Sequence, residues 1–329
     1  MSKILSIIIP SCNMEKYLGQ CLDSLLVPSI GDVEILVIND GSKDHTSEIA
    51  HGYSQRYPQS IRVIDKPNGH YGSCINRGLK EATGKYVKIL DADDSFDSEV
   101  FEKFIEFLKD TDADLVLSNY CRVDEDGTVT QYRQFLNAKD HAGTVNFKDA
   151  MIVLSTERVA MHCVCYRTNM LTEMEYQQTE GVPYTDQEWI FEPMIKVERV
   201  AYFPFYLYKY LVGRAGQSIS SDVICKNMGI QISLISKRIN LLGCVRNSVS
   251  KYHYDYLRGR LNYALINTYR TLLLNKGFKD LYSKLADLDS DIKSASPELF
   301  RSLGNLKFKP WLPIRFVNIW RKRNSNSQK

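Results

Sequence analysis

Three carboxylates follow a short apolar run in the segment YVKILDADDSFD, which begins at Tyr86. They are Asp91, Asp93 and Asp94, and only Ala92 separates the first from the other two. Like charges this close repel each other and lose solvation when they are buried, so they need a counter-charge. Mg²⁺ and Mn²⁺ prefer oxygen ligands and are usually held by one or two carboxylates together with substrate phosphates. The alternate positions of Asp91 and Asp93 therefore favour a divalent cation, Mn²⁺ or Mg²⁺, shared with a phosphorylated ligand.

Alternating strands and helices are predicted around these acids. Short apolar runs, most of them β-branched, start near Ser6, Val33, Ile61, Tyr86 and Asp114. Such nearly continuous hydrophobicity is typical of parallel strands that are buried on both faces. Amphipathic patterns between the runs predict helices at residues 16–26, 46–57 and 72–82. A βαβ series of this kind predicts an α/β fold with a mainly parallel sheet.

Polar side chains cluster where the predicted strands end. Ser11 and Asn13 follow the first strand, Asp40 ends the second, Lys66 ends the third, and Asp91 follows the fourth. In an open α/β sheet, ligands bind in the crevice beyond the carboxyl ends of the strands. Asp, Asn and Ser also cap helices, and one or two of these residues would fit that alternative. Four successive strand ends of this composition favour a binding site.

The pattern changes after about residue 120. The turn sequence at 124–127 predicts a hairpin, and the aromatic-rich segment 199–212 predicts a further strand. From Val223 onwards, apolar residues at helical spacing predict two helices with buried stripes. The expected organisation is an α/β domain over 1–220, a helical extension over 221–305 and a basic aromatic tail over 306–329.

The tail differs in charge from the rest of the chain. Residues 307–329 contain seven Lys or Arg and no acid, so the other residues carry 35 basic and 39 acidic side chains. Basic residues with interleaved aromatics suit an anionic membrane surface. The alternative is that the apolar members pack on the protein and the charges are solvated. Those apolar members are Phe308, Trp311, Leu312, Phe316, Ile319 and Trp320.

The remaining bulk features point to the cytoplasm. No apolar run is long enough for a membrane-spanning helix, and the apolar run at the N-terminus is too short for a signal peptide. The eight cysteines show no framework spacing and are expected to be reduced thiols. We therefore expect a cytoplasmic protein, peripheral at the inner face of the cell membrane if the tail binds lipid.

Three sequence blocks resemble the family 2 glycosyltransferases. They are SIIIPSCNMEKYLGQCLDSLL from Ser6, VEILVINDGSKDHT from Val33 and GLKEATGKYVKILDADD from Gly78. The resemblance covers about residues 3–215 and extends to PYTDQEW and YLVGRAGQSIS. It implies a GT-A type, Rossmann-like fold and a nucleotide-diphosphate sugar as donor.

The resemblance also implies roles for the strand-end residues. Asp40 would accept a hydrogen bond from the base, Asp91 and Ala92 would lie near the ribose, and Asp93 would ligate the metal. Asp94 would support the metal site or face the acceptor; alternatively, it caps the helix that follows. The residues implied to line the base and ribose are Pro10, Ser11 and Asn13.

One departure from the family pattern concerns a cation. Many relatives carry an Arg just before the Asn of the third helix, where this chain has Ile75. Lys66, His70 or Arg77 could replace that charge. Gly72 is expected to permit a tight turn beside the ligand, because glycine adopts conformations and approaches that other residues cannot.

Two residues near the end of the α/β domain complete the implied site. Asp186 matches the acidic motif that holds the family's catalytic base; alternatively, it caps a helix that runs through Ile195. Arg214 would face the donor pyrophosphate, or it is an ordinary surface residue.

The function implied is an inverting transfer of a sugar from a nucleotide diphosphate, UDP above all, to an acceptor hydroxyl. The expected acceptor is a sugar or lipid-linked oligosaccharide in bacterial exo- or capsular polysaccharide synthesis, and no nucleic-acid partner is expected. Two alternatives stay open, a non-catalytic nucleotide-sugar-binding module and a metal-dependent nucleotidyltransferase. Against the second, the segment SCNMEKYLG is not a Gly-rich, basic phosphate loop.

Overall fold

A computed structural model describes residues 3–135, 143–155, 159–214, 225–309, 311–312 and 314–327. The chain divides into two compact units, residues 1–217 and 218–329. The first unit contains a single mixed sheet with helices, and the second contains only helices among its described residues. The predicted fold class, an α/β domain followed by a helical region, is confirmed.

Ten strands form the sheet of the first unit. Their order is β3-β2-β1-β4-β9-β6-β10-β5, with β7 beside β6 and β8 beside β10. The pairs β1–β2, β2–β3, β1–β4 and β6–β10 are parallel. The bounds are β1 Leu5–Ser11, β2 Val33–Asp40, β3 Ile61–Lys66, β4 Tyr86–Ile89, β5 Ser95–Phe96, β6 Leu115–Val123, β7 Val129–Arg133, β8 Thr144–Asn146, β9 Val164–Arg167 and β10 Arg199–Leu211.

Strand β9 separates the fourth and fifth predicted strands. It runs antiparallel to both β4 and β6, so the continuous parallel series ends at β4. The five predicted strands are all present, as are the hairpin between β6 and β7 and the strand β10. Strands β1 and β2 are buried along almost their whole length, which explains their unbroken hydrophobicity.

Helices in the first unit are short or medium in length. The three that were predicted between the first four strands are present, with bounds that differ from the prediction by a few residues at their ends. The bounds are α1 Leu18–Asp23, α2 Thr46–Arg56, α3 His70–Glu81, α4 Ser98–Asp110, α5 Phe147–Leu154, α6 Thr168–Glu173 and α7 Asp186–Trp189.

The second unit is held together by the apolar stripes that the sequence shows. Ile239, Leu242, Leu257, Leu261 and Leu265 are fully buried. None of the described helices is both long and apolar enough to span a bilayer. The bounds are α8 Met228–Val245, α9 Lys251–Leu274, α10 Tyr282–Ala295, α11 Pro297–Gly304 and α12 Phe316–Ser327.

Candidate donor and catalytic site

The strand register brings the predicted site residues to one edge of the sheet. Ser11 at the end of β1 lies opposite Asn39 of β2, and Asp40 lies opposite Lys66 of β3. Strand β4 pairs with the other side of β1, and Asp91 follows it. Parallel neighbours end at the same edge, so polar residues from four consecutive strands gather there, as the sequence predicts.

Asp40 and Lys66 form a buried ion pair at this edge. Lys66 Nζ donates to Asp40 Oδ1 and, at 2.8 Å, to the Ser73 hydroxyl. The Gly69 amide also donates to Asp40 Oδ1, at 2.9 Å. Asp40 is 3% exposed, so its charge is compensated by a fixed partner and a backbone amide. The pair anchors the start of α3 to the ends of β2 and β3.

The structure separates the three candidates for the missing arginine. Ile75 is fully buried within α3. Arg77 points to Glu81 one turn away, with Nη2 3.0 Å from Oε1. His70 is exposed at the first position of α3 and has a left-handed φ of 63°. Lys66 alone among the three makes a described contact with Asp40, so it is the cation nearest the predicted base site.

Gly72 has a packing role. A Cβ atom at this position would lie 2.1 Å from the carbonyl oxygen of Thr179, a distance at which the backbone would have to move. The close approach of α3 and the 176–181 segment therefore requires glycine here. Whether Gly72 also lies beside the donor stays a prediction.

Asp91 occupies the centre of the site. Its Oδ1 accepts a hydrogen bond of 2.9 Å from the Tyr71 hydroxyl, and its backbone amide donates to the Tyr208 hydroxyl at 3.2 Å. Burial and the neighbouring Asp93 raise the pKa of Asp91 to about 7, and the charge of Asp186 adds to the shift. The carboxyl is therefore poised to gain or lose a proton according to the positive charge near it.

Asp93 and Arg214 form a second ion pair. Arg214 Nε donates to Asp93 Oδ2 at 2.6 Å, and the two side chains are 16% and 12% exposed. The guanidinium also lies 5.4 Å from the centre of the Tyr17 ring, within the range of a cation–π contact. Arg214 is thus a partly buried partner of Asp93 and not an ordinary surface residue, and its contact with the donor pyrophosphate stays a prediction.

Asp94 is buried beneath these two acids. It accepts a 2.5 Å hydrogen bond from the Tyr208 hydroxyl and a 2.8 Å bond from the Leu211 amide. Burial and the charges of Asp93 and Asp91 raise its pKa well above the usual value. The alternative of a helix cap is wrong, because Asp97 caps α4 through the Val100 amide. Asp94 ties the acid-rich turn to β10.

His162 is a candidate ligand that sequence reasoning missed. Ligand atoms of Asp91, Asp94 and His162 lie within 4.8 Å of one another, and Asp93, the predicted metal ligand, is not part of this group. The His162 Nδ1 atom is buried and makes no hydrogen bond, and burial next to Lys88 and Arg122 lowers the pKa of the ring to about 3. A neutral imidazole beside two carboxylates is a donor set that Mn²⁺ accepts, so the residues present fit a divalent cation. A lone His between Met161 and Cys163 gave no signal in the sequence.

Asp186 begins α7, which is much shorter than the predicted helix. The prediction of a helix through Ile195 is wrong: α7 ends at Trp189, and a 3₁₀ turn follows at Pro193–Ile195. Pro193 lacks the amide that a continuing helix would need. Asp186 is not the N-cap, which is Thr185. Its carboxylate accepts a 3.0 Å bond from the side chain of the adjacent Gln187.

Electrostatics place Asp186 in the same site as Asp91. The charge of Asp186 contributes to raising the pKa values of both Asp91 and Tyr71. Glu188, the other acid of the motif, has a structural role instead. It is 1% exposed and accepts 2.7 Å hydrogen bonds from the amide and the hydroxyl of Thr179. Of the two acids, Asp186 is therefore the one available to a substrate.

The residues predicted to line the base lie at the end of β1 and after it. Asn13 has a left-handed φ of 55°. It also contacts the turn after β2, because its backbone amide donates to Ser42 Oγ at 3.0 Å and its side-chain Oδ1 accepts from the Lys43 backbone amide at 2.9 Å. Ser11 is 1% exposed, Ala92 is 1% exposed, and Pro10 is partly buried. Their contact with a nucleotide stays a prediction.

Comparisons with known proteins agree on one class. The sequence model described as Glycosyl transferase family 2 matches residues 6–166. The uncharacterized glycosyltransferase YibD of Escherichia coli (strain K12) is 30% identical over 232 residues, 69% of this chain and 67% of YibD. The hyaluronan synthase of Pasteurella multocida is 25% identical over 88% of this chain and 27% of the synthase. The chain spans only part of several relatives that it matches: 33% of the uncharacterized glycosyltransferase EpsJ of Bacillus subtilis (strain 168) and 27% of the hyaluronan synthase.

A solved structure agrees on the fold. The crystal structure of Staphylococcus aureus TarS 1–349 in complex with UDP-GlcNAc superposes with a TM-score of 0.67 and 22% identity, over 90% of this chain and 82% of that one. The chain belongs to glycosyl transferase family 2. The predictions of a GT-A type fold and of a glycosyltransferase are thereby confirmed, whereas the individual site residues stay predictions.

Proposed function

We propose that this chain transfers a sugar from a nucleotide diphosphate donor, a UDP-sugar, to an acceptor hydroxyl with inversion at the anomeric carbon. The observation that carries the proposal is the gathering of strand-end residues around Asp91, which accepts a hydrogen bond from the Tyr71 hydroxyl and is followed by the Asp93–Arg214 ion pair. An acid paired with a cation suits a diphosphate and its metal. Asp186, whose charge adds to the rise that burial causes in the pKa of Asp91, suits an acceptor and its base.

The donor would bind along the edge formed by β1, β2 and β4. Asp40 would accept a hydrogen bond from the base, with Lys66 supplying the nearby positive charge that Ile75 cannot. Asp91 would contact the ribose, and Arg214 would face the pyrophosphate. UDP is supported by the complex of TarS with UDP-GlcNAc. The other proposed contacts are Pro10, Ser11, Asn13, His70, Gly72 and Ala92.

A divalent cation, Mn²⁺ or Mg²⁺, would be held by Asp93, the ligand that the family resemblance implies. Asp91, Asp94 and His162, whose ligand atoms lie together, are the neighbouring group that could share it. When bound, it would neutralise the charge that develops on the departing diphosphate. In the protein alone, burial and then the charges of the neighbouring acids raise the pKa values of Asp91 and Asp94, while Arg214 pairs with Asp93. A divalent cation together with Arg214 would offset part of the negative charge of the acids and of the diphosphate.

Asp186 would remove the proton from the acceptor hydroxyl as the sugar is transferred. A hydroxyl is a weak nucleophile at neutral pH, and a positioned base typically contributes about 10²–10⁴-fold in rate. Tyr71 would act as a positioning residue, since its hydroxyl holds Asp91 at 2.9 Å. The proposed acceptor is a sugar or lipid-linked oligosaccharide of a bacterial surface polysaccharide, which the relative named as a hyaluronan synthase supports.

The product of donor turnover tests the reaction class. The protein is incubated with a panel of UDP-sugars, Mn²⁺ and candidate acceptors, and the released phosphates are identified. Release of the nucleoside diphosphate supports glycosyl transfer. Release of pyrophosphate would instead indicate a nucleotidyltransferase and would contradict the proposal.

The variant Asp186→Asn tests the base. It should bind UDP as tightly as wild type and transfer sugar about 10²–10⁴-fold more slowly, because Asn cannot take the proton. The matched control is Asp149→Asn, which changes an acid in the first turn of another helix, α5. If Asp186→Asn keeps its rate within a few-fold while Asp149→Asn does the same, Asp186 is not the base.

A further inference from the structure

The second unit exposes an unusual concentration of apolar side chains near its end. Ten large apolar side chains are exposed among the described residues, and four of them lie between positions 308 and 319. Trp311, at 74% exposed, is the most exposed of all ten. Scattered single apolar residues are normal on a protein surface, but a cluster of large ones marks an interaction site.

Backbone hydrogen bonds hold part of this cluster in a hairpin-like arrangement. Lys307 and Arg315 form an antiparallel bridge, and the Phe308 amide donates to the Ile314 carbonyl at 3.0 Å. The Leu312 amide donates to the Lys309 carbonyl at 3.0 Å. Phe308 and Ile314 are each 43% exposed. We call the group of Phe308, Lys309, Trp311, Ile314 and Arg315 the Trp311 patch.

Helix α12, which follows the patch, packs into its own unit. Val317 is fully buried and Phe316 is 8% exposed in α12. Arg321 donates to both carboxylate oxygens of Asp289, at 2.6–3.1 Å, and its guanidinium lies 3.6 Å from the centre of the Phe300 ring. One face of this helix therefore packs into the fold, as the alternative of apolar packing expects, while Ile319 is 42% exposed.

The charges around the patch indicate which kind of partner it binds. Lys309 and Arg315 are exposed, and the chain has no acidic residue from 307 to 329. Lys309 Nζ lies 5.3 Å from the centre of the Trp311 ring, so charge and apolar surface are adjacent. A tryptophan flanked by cations suits the headgroup region of a bilayer, where the ring is partly buried and the cations meet anionic lipids.

We infer that the Trp311 patch docks the protein on an anionic lipid surface. The apolar side chains enter the boundary between headgroups and acyl chains, and the cations contact the lipid phosphates. Such a contact is peripheral and reversible, and rising salt weakens it. The inference rests on the second unit alone and does not depend on the proposed sugar transfer.

Vesicle sedimentation with the full-length protein tests the patch. Wild type should bind phosphatidylcholine vesicles that contain phosphatidylglycerol, and bind pure phosphatidylcholine vesicles weakly. Trp311→Ala should reduce the partition coefficient on the order of tenfold, because a large apolar side chain no longer enters the lipid. The matched control is Tyr263→Ala, an aromatic side chain on α9 that is 47% exposed and should have no effect.

A charge variant tests the electrostatic half of the inference. Lys309→Gln with Arg315→Gln should reduce binding about 25-fold, at roughly five-fold for each charge near the surface. Lys279→Gln with Arg301→Gln removes two exposed cations elsewhere on the same unit and should leave binding nearly unchanged.

Three results would overturn the inference. The first is equal sedimentation of wild type and the Trp311→Ala variant. The second is equal binding to vesicles with and without phosphatidylglycerol. The third is a change of oligomeric state in the Trp311→Ala variant, measured by light scattering, with no vesicle binding by wild type, since the patch would then be a contact between copies of the chain.

Discussion

Two buried arginine–aspartate pairs, one in each unit, are alike in distance and unlike in surroundings. Arg214 Nε lies 2.6 Å from Asp93 in the first unit, and Arg321 Nη2 lies 2.6 Å from Asp289 in the second. Asp289 has its own arginine in a two-oxygen contact and also accepts from the Tyr269 hydroxyl. Asp93 instead lies among further acids: after burial, its charge is the largest cause that raises the pKa values of Asp91 and Asp94.

The difference separates a structural ion pair from a binding site. Around Asp289 the charge is balanced, and the arginine is further fixed by the Phe300 carbonyl and ring. Around Asp93 the acids outnumber the cations, and burial raises the pKa of Asp91 to about 7. A protein keeps such an imbalance at a cost in stability, which a bound cation can remove.

The largest expected effect on stability comes from breaking the Arg321–Asp289 pair, whose charges are balanced. Arg321→Met should lower the free energy of unfolding by about 3–5 kcal/mol, because it leaves the buried Asp289 without its cation. Urea unfolding followed by tryptophan fluorescence measures the loss. The control Arg301→Met changes an exposed arginine of α11 and should cost much less. Equal losses in the two variants would mean that the Asp289 pair does not stabilise the second unit.

A smaller loss of stability is expected when the Arg214–Asp93 pair is broken. Arg214→Met should lower the free energy of unfolding by about 1.5–3 kcal/mol, the usual loss for a hydrogen bond to a charged group. Mn²⁺ should restore much of this loss, since it can compensate Asp93 in place of the guanidinium. The same addition should stabilise Arg321→Met no more than it stabilises wild type. Rescue of both variants, or of neither, would remove the distinction between the two pairs.

The last expected effect concerns pH. Asp91 binds a proton in the folded protein up to about pH 7, whereas an ordinary aspartate releases it near pH 4. The folded state therefore holds the extra proton in this window, and the contribution of Asp91 to the stability of the metal-free protein should fall as the pH rises from 5 to 8, while the lowered pKa of His162 acts in the opposite direction.

Substitution isolates the contribution of that carboxyl. Between pH 5 and pH 8 the stability of Asp91→Asn relative to wild type should rise by about 2–3 kcal/mol, because the titrating group is gone. Thermal unfolding in the presence of a chelator measures it. An unchanged pH dependence would show that Asp91 titrates normally and that the site carries no excess negative charge.

Local patterns were enough to predict the parallel half of the sheet. Strands β1, β2 and β4 are buried on both faces, so their hydrophobicity is continuous and easy to recognise. The common location of Asp40, Asp91 and Asp93 at one edge of the sheet was predictable because they lie at or just after the ends of those strands. The class of enzyme followed from the same blocks, through their resemblance to a family.

Long-range contacts decided what could not be predicted. Strand β9 has only four residues, and its antiparallel insertion between β4 and β6 depends on pairing with residues far away in the chain. His162 comes next to Asp91 only through that insertion. Lys66 rather than Arg77 is the candidate for the missing cation because of the acid that each one contacts, and the sequence does not show these contacts. Helix α7 is shorter than predicted because Pro193 outweighs the amphipathic pattern around it.

Nucleotide binding with and without a cation tests the central claim, that the acids after β4 form a donor site completed by a metal. Calorimetric titration of UDP is done in Mn²⁺ and in EDTA, on wild type, on Asp93→Asn and on the control Asp65→Asn. The control changes another strand-end acid, one that contacts Asn39, Ser47 and His51. We expect Mn²⁺ to tighten UDP binding at least about tenfold in wild type and in the control, and to have little effect in Asp93→Asn. Equal affinities in Mn²⁺ and EDTA for wild type, or an undiminished effect of Mn²⁺ in Asp93→Asn, would contradict the claim.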